Sequence, residues 1–327
     1  MGRWLMALLL VMVTSLATKA VEAYACYTPS NTTLTFYYDD LRASRPGTTY
    51  DLDEEVPGWY RDLLDMDTWT LPTTRVIIDP SFAGARPTST YAWFGYMNKV
   101  QSITGISCLN TSKVTNMGSM FEGCSGLTNL DVSGFNTANV TNMQFIFYGC
   151  SGLTNLDLSN FNTANVTTME GMFDHCSALT SLDLSGFNTA RVTEMSWMFF
   201  ECSNLTTIYA GSGWKTNAVT SSNVMFSGCT SLVGGMGTTY DASHTDAAYA
   251  HIDGGPSNPG YFTAAIIRGD VNGDGQVKIN DVTALINFLL THNGTGINLH
   301  GADANQSGGI NISDVTFLIN FLLSGSW

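Results

Sequence analysis

The chain has 327 residues, only 12% of them charged, and 13 Lys plus Arg against 27 Asp plus Glu leave a formal net charge of −14. A pI near 4.5 with no basic run offers nothing to displace counterions from a nucleic acid, and 44% hydrophobic residues are too many for a disordered acidic tail. The length suits two or three domains of roughly 100–200 residues each, and an excess of Met (14) beside seven Cys needs a cause.

The N-terminus joins a basic tip, Met1-Gly2-Arg3, to an apolar run from Trp4 to Leu16 and small residues around Ala20 and Val21-Glu22-Ala23. This predicts a secretory signal over residues 1–23, cleaved after Ala23 or Ala20. The run is shorter than the ~20 residues of a membrane span, so no transmembrane segment is expected after cleavage. Ala23-Tyr24-Ala25 ahead of Cys26 lacks the aliphatic residue of a lipid-attachment site. Residues 24–99 read as a non-repeating head, with strand-like LTFYY and RVIID around a middle punctuated by Pro and Gly. Its acidic clusters lie at Asp39-Asp40, Asp51 to Glu55 and Asp62 to Asp67. A glycosidase pair among them needs a pocket and a fixed separation, so a cap over the segment that follows is favoured.

Residues 100–262 are dominated by a repeat. Cys124, Cys150, Cys176, Cys202 and Cys229 are separated by 26, 26, 26 and 27 residues, and the copies read FNTANVTNMQFIFYGC, FNTANVTTMEGMFDHC and FNTARVTEMSWMFFEC. An earlier copy begins at Leu109 and a decayed one at Trp214. Val140, Met143, Phe147 and Cys150, spaced three, four and three apart, predict a helical turn. The LxxLxL string that follows, Leu153, Leu156 and Leu158, predicts a short strand. Stacked, such units make an α/β leucine-rich-repeat solenoid of about five 26-residue repeats with one parallel sheet. Met117, Met120, Met143, Met169, Met172, Met195, Met198 and Met225 then fall in core ladders, which accounts for the Met excess. Parallel Cys rows ~4.8 Å apart are poorly placed for relaxed disulfides, and without CxxC or a nearby His pair they do not suggest zinc. Buried reduced thiols are expected, with His175 beside them an exposed surface residue.

Asp131, Asp157 and Asp183 stack on the outward side of the strand strings and end at Tyr209. They read either as solvated residues accepting local backbone N–H groups, the favoured reading, or as a recognition strip. The repeat units closely resemble the BspA-like leucine-rich repeats of bacterial surface proteins, in which NTSxVTNMxxMFxxCSxLTxLDLSxF units recur. The likeness runs from about Val100 to Leu232, and the flanks look like that family's N-terminal cap region and C-terminal end. It implies secreted or cell-surface proteins, some of which adhere to host matrix proteins or to other bacteria.

After the Gly- and Pro-rich stretch DGGPSNPG, residues 270–290 read DVNGDGQVKINDVTALINFLL and residues 303–323 read DANQSGGINISDVTFLINFLL, 33 residues apart. Calcium takes six to eight oxygens. Asp270, Asn272, Asp274, the Gln276 carbonyl and Asp281 occupy loop positions 1, 3, 5, 7 and 12, with Gly275 at the turn. Asp303, Asn305, Ser307, the Gly309 carbonyl and Asp314 take the same places in the second loop, with Gly308 at its turn. Ser307 replaces a carboxylate, so the second of two calcium ions is expected to bind more weakly. Val282, Leu285, Phe288 and Leu289, and their counterparts Val315, Leu318, Phe321 and Leu322, predict two helices packed together.

A position-12 Asp, no helix entering the first loop and the duplication together resemble a type I dockerin, from Gly269 to about Ser324. Residues 263–327 are thus expected to be a small all-α calcium-binding dockerin domain. The resemblance implies calcium-dependent binding to a cohesin module. It maps recognition onto Ile279, Asn280, Ile286 and Asn287, and onto Ile312, Ser313, Ile319 and Asn320. The small hydroxyl pair and the basic helix residues common in dockerins are replaced here by Ile-Asn, Ile-Ser and Ile-Asn.

The leading expectation is an exported, non-enzymatic surface protein of adhesion type. Its repeat face would recognise a host matrix protein, another bacterium or another cell-surface protein, and its dockerin would bind a cohesin-like partner. The alternative is a component of a polysaccharide-degrading, cellulosome-like assembly with hydrolase activity or association. No nucleophile elbow or HExxH string supports an enzyme. An intramolecular clamp made by the dockerin is a third reading.

Overall fold

A computed structural model of the chain describes residues 20–52, 55–265, 267–273, 276–294 and 297–326. The signal reading falls almost wholly outside the described residues, but Glu22 and Ala23 already belong to a strand.

The head is built on a five-stranded mixed sheet. Its strands are β1 (Glu22–Thr28), β2 (Thr33–Asp39), β3 (Thr48–Asp51), β4 (Arg75–Ile78) and β5 (Ile103–Thr104), in the order β3-β1-β2-β4-β5. β1 pairs antiparallel with β2 and β3, while β2, β4 and β5 run parallel. The strand-like LTFYY and RVII strings lie in β2 and β4. Between β3 and β4, helix α1 (Gly58–Leu63) carries Trp59 into the core. Phe36 lies 5.5 Å edge-on from Trp59 and 5.1 Å from a stacked Trp93, and Trp59 Nε1 donates to the Trp93 carbonyl at 3.0 Å. Of the head's carboxylates, Asp51 and Glu22 pair with Arg42, and Asp39 pairs with Arg45.

The expected α/β leucine-rich-repeat solenoid is not formed. Among the described residues the fold is mixed α/β with two sheets and few helices, and no parallel sheet runs through the repeats. Val140, Met143, Phe147 and Cys150 are buried together, as their spacing predicts, but on turns and not on a helix. The reason lies in the backbone. Each copy holds two residues in the left-handed region, such as Ser119 and Gly123, Phe145 and Gly149, or Trp197 and Glu201, and these stop an α-helix. N–H groups then alternate between two partners. Met120, Glu122 and Cys124 donate three residues back within their own turn, to Met117, Ser119 and Phe121. Met117, Ser119, Phe121 and Gly123 donate to Asn142, Gln144, Ile146 and Tyr148 of the next copy. Every donor is satisfied without a helical i→i−4 ladder.

The LxxLxL strings become strands only in the last two copies, β6 (Ser181–Leu184) and β7 (Thr207–Ala210). There β8 (Phe262–Ala264) supplies a third parallel strand, giving the sheet β6-β7-β8. A lone strand pair is marginal in water, and the earlier strings have no such partner sheet.

Parallel bridges join Ser89, Asn116, Asn142, Thr168, Glu194 and Ser221 in turn, so the stack begins at residue 89, inside the segment read as head. Behind them Phe94, Phe121, Phe147, Phe173, Phe199 and Phe226 form a column of stacked rings 5.4–5.9 Å apart. The Met residues of the repeats are buried beside it. Each ladder cysteine is unpaired and buried, its Sγ donating to the carbonyl of the column Phe one copy back, as Cys150 does to Phe121 at 3.1 Å. Burial pushes the Cys124 and Cys229 thiols up to about 12, and those of Cys150, Cys176 and Cys202 well above the usual thiol range.

A threonine column seals the other edge of the turn. Thr111, Thr137, Thr163 and Thr189 are buried. Thr137 Oγ1 donates to the Asn162 carbonyl at 3.1 Å and accepts from the Asn162 N–H at 2.7 Å, and the other three repeat the pattern one copy on. Thr137→Val keeps the shape but strands both backbone groups of Asn162. It should destabilise the repeats by about 1–3 kcal/mol in denaturant titration, and an unchanged midpoint would show that the column does not hold the copies together.

Candidate functional site

The C-terminal segment has its own core. Helix α2 (Ile279–Thr291) packs against α4 (Ile312–Ser324), and the short α3 (Leu299–Ala302) lies between them in the chain. Val282, Leu285, Val315 and Leu318 are buried with Val271, Ala302 and Ala304, as the duplicated apolar spacing predicts.

Each helix is entered from its loop through one aspartate. Asp314 Oδ1 accepts the Asn305 N–H at 3.0 Å and Oδ2 accepts the Asn311 N–H at 2.9 Å. Asp281 does the same one duplication earlier, taking the N–H groups of Val271 and Asn272 on Oδ1 (2.9 and 3.1 Å) and of Lys278 on Oδ2 (2.8 Å). Each therefore closes its loop and caps its helix at the third helical residue. The rest of the second loop is organised by Asp303, whose two oxygens accept the N–H groups of Ser307 (2.9 Å) and Gly308 (2.8 Å). Asn305 Oδ1 also accepts from Ser307, and Ser307 Oγ donates to the Gly309 carbonyl at 3.3 Å. Gly308 has φ +84°, the left-handed turn its place in the loop requires.

The residues fit a hard cation. Asp281 and Asp314 are fully buried, and among the described residues neither forms an ion pair. A buried carboxylate without a counter-charge is costly, and calcium surrounded by carboxylate, amide, hydroxyl and carbonyl oxygens offsets that cost. Asp270 is also buried, Asn272 is half-buried and Gln276 is exposed, while Asp274 and Gly275 lie outside the described residues.

All eight residues mapped for partner recognition are exposed: Ile279, Asn280, Ile286 and Asn287 on α2, and Ile312, Ser313, Ile319 and Asn320 on α4. Ile279 and Ile312 show 71% and 70% of their surface. Leu290 and Leu323, at 76% and 82%, extend the same face by one turn. Their equal place in the two copies was the available sign, obscured because each directly follows residues read as core, Phe288-Leu289 and Phe321-Leu322.

On the repeats, Asp131, Asp157 and Asp183 are exposed, and each accepts the N–H of the serine two residues on, at 3.0, 2.9 and 2.9 Å. The Ser133 hydroxyl and N–H hold Asp131 below the ordinary carboxylate range, and the Ser159 N–H does so for Asp157. Asp157, Asp183 and half-buried Tyr209 border a shallow cavity of about 340 Å³; Asp131 does not line it.

The repeats match the family model described as "Mycoplasma protein of unknown function, DUF285", at residues 88–208 and 153–253. Between them these matches span residues 88–253, just over half of the chain. The chain belongs to the DUF285 family. The DUF285 match begins at the first stacked turn, where the parallel bridges start. Residues 268–323 match the type I dockerin domain. No curated protein and no solved structure matches the chain. Type I dockerins bind calcium, so this DUF285 protein carries a calcium-binding module whose kind points to a cohesin partner and to an extracellular or cell-surface assembly. No helix among the described residues is long and apolar enough to cross a membrane.

With calcium present, Asp281→Ala and Asp314→Ala should each lower the calorimetric transition of the C-terminal module, through lost charged hydrogen bonds of about 1.5–3 kcal/mol each. The transition of the repeats should stay in place. A C-terminal transition that does not move would remove these two aspartates from the loop-closing role.

Proposed function

We propose that this protein is exported and non-enzymatic, that its repeats present a recognition face of adhesion type, and that its dockerin docks it to a cohesin-like module. The observation that carries the reading is the duplicated exposed face. Ile279-Asn280 with Ile286-Asn287, and Ile312-Ser313 with Ile319-Asn320, stand on two equivalent helices, each set by a loop of the same design. Either copy can meet one partner surface, because the chemistry offered is nearly the same. The apolar isoleucines favour a cohesin face that is itself apolar rather than acidic.

Two calcium ions are assigned, one held by Asp270, Asn272, Asp274, the Gln276 carbonyl and Asp281. Asp303, Asn305, Ser307, the Gly309 carbonyl and Asp314 hold the other. The second set has one carboxylate fewer and binds more weakly. The likeness of the repeats to BspA-like surface repeats supports a cell-surface or secreted location and a protein or cell-surface ligand. Asp131, Asp157, Asp183 and Tyr209 are the strip offered on the strand side. Cleavage after Ala20 fits export better than cleavage after Ala23, since Glu22 and Ala23 pair with Asp39 and Tyr38 in the head sheet.

The competing reading, a hydrolase within a polysaccharide-degrading assembly, draws on the dockerin alone. The acidic residues of the head that suggested a glycosidase include Asp39 and Asp51, which are tied to Arg45 and Arg42. Calorimetric titration of the full chain should resolve two calcium events of unequal affinity, and an immobilised cohesin should retain the chain in calcium and release it to chelator. Retention that ignores chelator, or a chain that takes up no calcium, would overturn the proposal.

A further inference from the structure

On the turn side of the repeats, away from the aspartate strip in sequence, rings and carboxylates alternate from copy to copy. Trp69 of the head lies 5.5 Å from Tyr96, whose hydroxyl bonds Glu122 of the next turn. Tyr148 follows, 5.9 Å from Phe145 and 5.9 Å from His175, and His175 lies 5.5 Å from Phe200. The Phe145 ring lies over Gly171, where any Cβ would come within 2.3 Å of it. Trp197, one turn further, leaves 39% of its surface in water.

The charge along this side is of one sign. The turn segments 116–123, 142–149, 168–175 and 194–201 contain Glu122, Glu170, Asp174, Glu194 and Glu201 and no Lys or Arg. Partial burial raises the proton affinity of Glu170, and the like charge of Glu194 adds to it. Asp174 is buried and bonds the His175 ring, while Glu170 and Glu194 have no Lys or Arg within these segments.

We propose that this band of rings and carboxylates binds an arginine-rich segment of a partner protein. Ring faces attract a cation, carboxylates pair with it, and a planar guanidinium can stack on a ring while it bonds a carboxylate. A neutral glycan can use the rings, but it leaves the carboxylates uncompensated, so the charge decides between the two. The proposal rests on the reading of the repeats as a recognition module and moves the contact from the strand side to the turn side.

Fluorescence anisotropy of a labelled oligo-arginine peptide, titrated with the full calcium-loaded chain, tests it. Trp197→Ala and Glu201→Gln, both at exposed positions, should each weaken binding about fivefold. Trp197→Phe should stay within about twofold, and Asp40→Asn on the exposed surface of the head should change nothing. Added salt should weaken binding steeply. Wild-type affinity in Trp197→Ala, an equal loss in Asp40→Asn, or displacement of the peptide by neutral xylan would overturn the proposal. Cohesin capture measured on the same samples separates the two readings. If capture persists while peptide binding fails these tests, only the band is refuted.

Discussion

The repeats depend on one constraint: backbone N–H groups that do not bond within their own turn must bond to the next copy. Ser119 to Gln144 and Phe121 to Ile146 are examples. This locks the period at the length of one turn and lines up equal positions. Ring on ring, thiol on carbonyl and threonine on backbone then follow as columns. A single copy leaves half its donors unsatisfied and its Phe unpaired, so stability is a property of neighbours. The head solves the problem at one end by contributing residues 89–97 as the first turn and burying Trp93 against Phe36. At the other end Phe226 passes its N–H to Thr245, and β8 completes the small sheet.

The same constraint decides where recognition can occur. Inward positions are fixed by the columns and are nearly identical from copy to copy. Outward positions are free to differ, as half-buried Phe145 and exposed Trp197 and Val224 do at one equivalent place. The C-terminal module follows a different logic. There two short helices share a small core, and Asp281 and Asp314 couple loop closure to helix capping, so a cation that orders the loops also orders the helices.

Much of this was legible in the sequence. The Cys spacing gave the period, and the Met and Cys positions proved to be core, because burial of one face follows from periodicity whatever the local backbone does. The backbone itself was misread. A spacing of three, four and three suits a helix, and it equally suits stacked turns in which residues such as Ser119 and Phe145 adopt left-handed φ. Of these places only some hold glycine, so composition gave little warning. The first turn was hidden because Met97 stands where every later copy has Cys. The duplicated loops were legible because oxygen ligands at fixed spacing leave few alternatives. The capping role of Asp281 and Asp314 was not, since it depends on which N–H groups the folded loop turns inward.

The molecule has two modules held by unlike forces, backbone bonds between copies in one and calcium-ordered loops in the other. Amide hydrogen exchange of the full chain, with calcium and with chelator, tests this directly. Protection across residues 89–232 should be the same in both conditions, while residues 268–323 should lose theirs in chelator. Equal protection of residues 268–323 in both, or loss spreading through the repeats, would contradict it.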